Sequence, residues 1–459
     1  MKLKRVTLTL VGAMTAVTAA VVLVPGPAYA ASSHSLWVNA SEPVPATGPH
    51  NSCTTPGYNT IQAAIDAAAV AAPAGGDTIH VCPPDADAPY VEQLTITDPV
   101  SIVAAGPGVT VQLPVTPADS TTPCDAAGLA GFPGQPDQDE ISICTAGTVN
   151  ISGINVQALW PSGTCYDSLY GILVAGGATL KMSSATVAGA GADPINGCQG
   201  GIGVQVGMSW SDPVEVGHAL LNDVSISEYQ KNGITVDGTG STATIRATTV
   251  TGAGATPAIA QNGIQVSYGA GARITDSDIA GDECDVAVCG PDSQTQTQST
   301  GILFYGAEPG SSITHSSVKN SDIGVYSLDM EPTAPVTANV SVTHDTLTGD
   351  RYEAVALDQG YTVVSNDTIS GGNVGIQVLQ YDGQDYGVKA VARDDTITGM
   401  AVAAAQVSSD NAVSGDLPGS MSITKSKISN NPTGASILGS VLDNSPSYAS
   451  YLDTIKQDT

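Results

Sequence analysis

The sequence predicts an all-β solenoid, a parallel β-helix of about 10–11 coils closed at its N-terminal end by one short helix. Three observations predict it. Short phrases with strand periodicity recur along most of the chain, helical periodicity occurs once, and the composition cannot fill several ordinary cores. Only 4% of the 459 residues are aromatic, with two Phe and three Trp, while 51 are Gly. A repeat that stacks small and β-branched residues coil upon coil can bury its interior without large side chains.

The recurring phrase has two halves. One half is a glycine, a branched residue, any residue and an apolar residue: GILV at Gly171, GITV at Gly233, GIQV at Gly263, GILF at Gly301, GVYS at Gly324, AVAL at Ala354 and GIQV at Gly375. The other half reads ATIRATTVTG at Ala243, ARITDSDIAG at Ala272, VSVTHDTLTG at Val340, TVVSNDTISG at Thr362 and KAVARDDTITG at Lys389. Both alternate inward apolar with outward polar residues at period two, so both are strands. No amphipathic helix separates them, which excludes βαβ repeats. Strands this short and this poor in aromatics also argue against a propeller or an up-and-down barrel.

The helix falls in YNTIQAAIDAAAVAAPAGGDTIHV, from Tyr58. It starts at Asn59 or Thr60, and with Asn59 as N-cap, Gln62 can close a capping box. Ile61, Ala64, Ile65 and Ala68 share one face. A solenoid has an open apolar end that needs a lid, and this face supplies one.

The ends of the chain set the expected domains. Lys2, Lys4 and Arg5 precede an apolar run, then PGPAYA ending at Ala30. That is the pattern of a signal peptide over residues 1–30. One domain follows over 31–459, with a cap at 36–82, coils over about 90–440 and a tail at 441–459. The protein is expected to be secreted and extracellular, a monomer, and free of the membrane once the leader is cleaved. The formal charge is −29, and cleavage would remove three cations. A surface so acidic excludes nucleic acid and anionic membranes as partners. Eight cysteines in an exported chain suggest four disulfides. Sequential pairing gives Cys53–Cys82, Cys124–Cys144, Cys165–Cys198 and Cys284–Cys289.

The order helix, GGDTIHV, PYVEQLTI, VSIVAAG and then G-I-x-V coils resembles secreted right-handed parallel β-helix proteins of the pectate-lyase-like superfamily. The likeness spans most of residues 36–440. It implies a right-handed coil, and it implies a polysaccharide or other glycan as partner, through lysis, hydrolysis, epimerisation or de-esterification. Some members of the superfamily are not enzymes, so a glycan-binding or matrix role is the alternative. The family's catalytic phrases are missing here: N-T-D-G-x-D of polygalacturonases, D-P-H of alginate epimerases, and Q-D-T and D-F-I-F-G of pectin methylesterases. G-x-S-x-G, P-loop and H-E-x-x-H motifs are missing too.

Candidate residues therefore come from position. In this superfamily the outward face of the G-I-x-V strand usually carries the groove. Its outward positions and following turns hold Gln205, Thr235, Asp237, Gln265 and Tyr268, and tyrosines and acids concentrate beyond residue 305. Tyr305, Tyr326, Gln377 and Tyr381 are the substrate-binding candidates, since flat rings suit sugars and amides suit hydroxyls. Asp329, Arg351, Asp358 and Asp382 are the catalytic candidates, because stacked coils can set carboxylates at the spacing glycoside hydrolysis needs. No cofactor is assigned. Calcium could bind acids such as Asp276, Asp278, Asp282, Glu283 and Asp285, but the fifth and twelfth places of an EF-type loop would be Ala280 and Ala287. His344–Asp345 could suggest a triad, yet it stands where other coils have Asn366–Asp367, which makes it a turn ladder.

Overall fold

The computed structural model describes residues 34–439, apart from 72–75, 86–87, 121, 123, 125–136, 161–167, 212, 290–298, 329–338, 359, 381–387 and 410–418. The expected leader and tail lie outside the described residues. Among those described, no helix is long and apolar enough to cross a membrane.

One coil shows how the phrase folds. A G-I-x-V strand, Asn262–Ser267, turns a first corner into Gly271–Thr275. A two-residue second corner leads to Asp278–Cys284, and a third corner returns the chain to the next G-I-x-V strand, Thr300–Tyr305. Stacked G-I-x-V strands make a 12-stranded sheet, and the other two strands of each coil form a 23-stranded sheet. The pairings are parallel and in register, as in Ile264↔Ile302 and Val266↔Phe304. Twelve strands exceed the 10–11 coils expected, because strands such as Leu94–Ile96 and Ala403–Ser409 lack the anchor glycine. At about 4.8 Å per rung the stack is about 53 Å long.

The interior is one continuous column. Ile172, Val204, Ile234, Ile264, Ile302, Val325, Val355 and Ile376 stand above one another, almost wholly buried. Each contributes about 1.5–3 kcal/mol by leaving water. The anchor glycine has a steric reason. A Cβ on Gly263 would stand 2.6 Å from the carbonyl oxygen of Gly301 and 2.8 Å from Asp282 Oδ2. Any side chain there would push adjacent coils apart.

The second corner is a ladder. Its first residue is left-handed, as at Asp276 (φ 51°), His315 (53°), His344 (61°) and Asn366 (61°). Its second residue points inward and accepts a backbone N–H from the preceding coil. Ser277 N–H donates to Ser316 Oγ (3.1 Å), Ser316 N–H to Asp345 Oδ1 (2.7 Å), Asp345 N–H to Asp367 Oδ1 (2.6 Å) and Asp367 N–H to Asp395 Oδ1 (3.0 Å). Asp345 is thus a rung of the ladder, and His344 stacks on His315 at 5.0 Å. Burial pushes the carboxyls upward, Asp345 and Asp395 to about 7 and Asp367 to about 9.

The helix spans Ile61–Ala71 and covers the first coils with Ile61, Ala64, Ile65 and Ala68, all buried. Its N-cap is Thr60, whose Oγ1 accepts Ala63 N–H at 3.3 Å. Asn59 instead donates to the carbonyls of Asn39 and Glu42, and Gln62 reaches Thr95. The remaining free helix donors go to Glu92, whose carboxylate accepts Ile61 N–H (2.9 Å) and Gln62 N–H (3.0 Å). A carboxylate at a helix N-terminus also complements its dipole. Cys53–Cys82 staples the cap, and Cys124 pairs with Cys144. Cys198 and Cys284 are also disulfide-bonded; Cys165 and the side chain of Cys289 lie outside the described residues.

Candidate functional site

The outward row of the G-I-x-V sheet is mostly closed. From Ser142 upward it runs Leu173, Gln205, Thr235, Gln265, Leu303, Tyr326, Ala356, Gln377 and Gln406. Within it only Gln265 and Leu303 are half-buried, and the others are buried. This window lies on two adjacent strands, Asn262–Ser267 and Thr300–Tyr305. Gln265 helps hold it in place, accepting from Asn232 (3.2 Å) and Asn262 (3.3 Å).

Charged side chains from three coils meet at the third corner, where the neighbouring strands begin. Arg351 Nη1 lies 3.2 Å from Asp322 Oδ1, and Nη2 lies 3.6 Å from Glu283 Oε2. Glu283 and Arg351 keep 25% and 19% of their side-chain exposure, whereas Asp322 keeps none. Asp322 Oδ2 accepts the N–H groups of Cys284 and Ser299, both at 2.9 Å. Burial pushes Asp322 up to about 6, although those N–H groups and Arg351 pull the other way. Deeper in the corner, Asp282 accepts a 2.6 Å bond from the Tyr229 hydroxyl, and Asp350 accepts Ser321 N–H at 3.1 Å. Burial raises both carboxyls well above the usual range. Arg351 is the one cation in ion-pair contact with this group among the described residues.

The first corner lies at the far end of the strands. Tyr326 donates to Asp358 Oδ2 at 3.2 Å, and Gln377 donates to Ser408 Oγ at 2.7 Å. Tyr305 meets Tyr268 edge to face at 5.5 Å. Arg351 precedes the strand Glu353–Leu357 and Asp358 follows it. A strand of that length separates them by on the order of 20 Å. The structure therefore groups Asp358 with Tyr326 and sends Arg351 to the opposite edge. Asp329, Tyr381 and Asp382 lie outside the described residues.

Sequence reasoning missed Asp322 and Asp350 and read Asp282 and Glu283 only as a calcium loop. The acids of that stretch face different ways. Asp276 sits on the exposed second corner and pairs with Arg246 at 3.5 Å, while Asp282 is buried. Among the described residues, no group of three or more His, Cys, Asp or Glu is arranged to hold a metal ion.

Residues 203–390 match a family described as the right-handed beta helix region. No curated protein matches the chain. Among solved structures it is similar to the Dettilon tailspike protein (gp208), at 15% identity and a TM-score of 0.50, over 79% of this chain and 62% of that one. It is also similar to the A-module of the Azotobacter vinelandii mannuronan C-5 epimerase AlgE4, at 13% identity and 0.47, over 83% and 93%. The pectate lyase Pel9A aligns at 11% identity and 0.35, over 89% and 80%. At such identities the likeness concerns the fold alone. The described residues form a right-handed parallel β-helix.

Proposed function

We propose that the protein is an extracellular carbohydrate-active enzyme, working on a polysaccharide that lies across the half-open window at Gln265 and Leu303. That window is the observation that supports the reading: between Ser142 and Gln406 it is the half-open stretch of the outward row among the described residues, with tyrosines at one edge and charges at the other. Disulfides fit an oxidising compartment outside the cytoplasm, as secretion requires. Glycoside hydrolysis is favoured over lysis. A lyase needs a cation to neutralise a uronate carboxylate, and Arg351 is already committed to Glu283 and Asp322. In the sequence Asp329, Asp358 and Asp382 each follow a G-I-x-V strand, on consecutive coils. They are assigned as the acid and the nucleophile or base, with Tyr305, Tyr326, Gln377 and Tyr381 binding sugar. Arg351 becomes a positioning residue that holds the opposite edge.

A non-catalytic glycan-binding role is the second reading. It is favoured by the burial of Asp358, which must open to touch a sugar. Incubation with a panel of neutral and uronate polysaccharides separates the readings. Hydrolysis yields new reducing ends that Asp358→Asn and Asp329→Asn lower by more than about tenfold, or about 1.4 kcal/mol each. Unsaturated-uronide absorbance would instead indicate lysis, and retention without products would indicate binding alone.

A further inference from the structure

At the first corner, the residue after each of four successive G-I-x-V strands adopts a left-handed backbone. These residues are Gly207 (φ 75°), Gly238 (86°), Tyr268 (53°) and Gly306 (61°). Three coils use glycine, the residue that takes this conformation without steric cost. One uses tyrosine, for which it is disfavoured. Burial does not compensate. Tyr268 is 45% exposed, the one aromatic among the exposed large hydrophobic side chains described. A strained backbone under an exposed aromatic ring is the pattern of a residue kept for what it contacts.

Its surroundings define the contact. The edge of Tyr305, one coil further on, supports the Tyr268 ring at 5.5 Å and 89°. Their backbones are joined as well, with Tyr268 N–H donating to the Tyr305 carbonyl at 3.0 Å. The chain then runs through Gly271 into a cleft of about 240 Å³. Thr242, Thr244, Arg273, Glu308 and Ser311 supply its polar lining. The corner thus offers a flat aromatic face, and the cleft along the strand that follows it carries hydroxyls, one cation and one anion. It matches a pyranose ring with neutral substituents better than a uronate.

We infer that Tyr268, braced by Tyr305, is a stacking platform for a pyranose unit of a neutral polysaccharide, with the Arg273–Glu308 cleft taking the adjoining hydroxyls. The inference rests on the proposed glycan activity and names its substrate class.

Tyr268→Gly tests it, because glycine suits the backbone and removes only the ring. The variant should keep or raise the melting temperature, which shows that it is folded. In affinity electrophoresis through gels containing β-glucan, xylan or mannan, the parent should be retarded, and Tyr268→Gly should lose at least tenfold in affinity. Tyr268→Phe should retain most of the retardation. If the parent is retarded and Tyr268→Gly is retarded equally, the platform is wrong while the glycan reading stands. If pectate or alginate retards the parent and neutral chains do not, the assigned substrate class is wrong. A parent retarded by none of them, and active on none, overturns the platform and the function together.

Discussion

Two columns of buried aspartates run along this rod, and they are built on different terms. At the second corner Asp345, Asp367 and Asp395 stack on consecutive coils and accept backbone N–H groups. At the third corner Asp282, Asp322 and Asp350 meet Arg351, Glu283 and the Tyr229 hydroxyl. The first column has no cation in ion-pair contact among the described residues. Carboxylates one rung apart, about 4.8 Å, cannot all stay ionised in a low dielectric, so protons do the neutralising. The second column uses a guanidinium for part of that work. One column holds protons alone, and the other combines held protons with an ion pair.

The largest expected effect breaks the comparison if it fails. Aspartates titrate near ~3.9 in the unfolded chain. In the folded protein Asp322 is raised to about 6, Asp345 and Asp395 to about 7, and Asp367 to about 9. Their contribution is fully present below pH ~4 and is lost as pH rises through each folded value. The loss is about 1.4 kcal/mol per pH unit for every proton held. Stability should fall steadily between about pH 5 and pH 9, read as a falling melting temperature. Adding ~1 M salt screens surface repulsion but not the buried columns, so the fall should persist. A flat or rising profile would mean that neither column stores protons.

Arg351→Ala comes next and separates the columns. It leaves Glu283 and the fully buried Asp322 without their cation, which costs about 3–5 kcal/mol at pH ~8. At pH ~5 the loss should shrink, because Asp322 then takes a proton instead. Denaturant unfolding at the two pH values reads both; equal losses would make Arg351 a packing residue. Tyr229→Phe is smaller, about 1–3 kcal/mol, since it strips the hydrogen bond from buried Asp282. Asp367→Asn is smallest. The amide keeps an oxygen for Asp345 N–H, so at pH ~5 the change should stay within about 1 kcal/mol. Between pH ~7 and ~9 it should flatten the decline, because a group that titrates is gone.

The second-corner column could be read from the sequence, and the third-corner one could not. The D-T-[IL]-[TS]-G phrase returns at one place in each coil, so His344–Asp345 is recognisable as a rung by its repetition. Asp350 directly follows that phrase and Asp282 a variant of it, but other coils carry Gly372 and Met400 at the same place, and Asp322 follows no such phrase, so the repetition does not mark them as a group. Only the stacked backbone reveals their alignment. Arg351 was identifiable as a charge near the sheet, but its direction was not. It precedes its strand while Asp358 follows, and one strand's length puts them on opposite edges. Glu92 shows the same limit at the cap. The helix was evident from its apolar face, yet the carboxylate that closes its N-terminus arrives from a later coil.

The two-residue second corner also constrains how such a chain can diversify. Between Arg246 and Thr249, Thr275 and Asp278, Thr343 and Thr346, and Arg393 and Thr396, the count between strands never changes. One added residue there would take that coil's inward side chain out of the ladder; the earlier coil with strands Ser101–Ala104 and Thr110–Gln112 has a longer corner and lies outside it. The other two corners vary in length, as from Cys284 to Thr300 and from Gln380 to Lys389. Heritable novelty in this architecture is therefore channelled to two seams of the rod, while the third acts as its ruler.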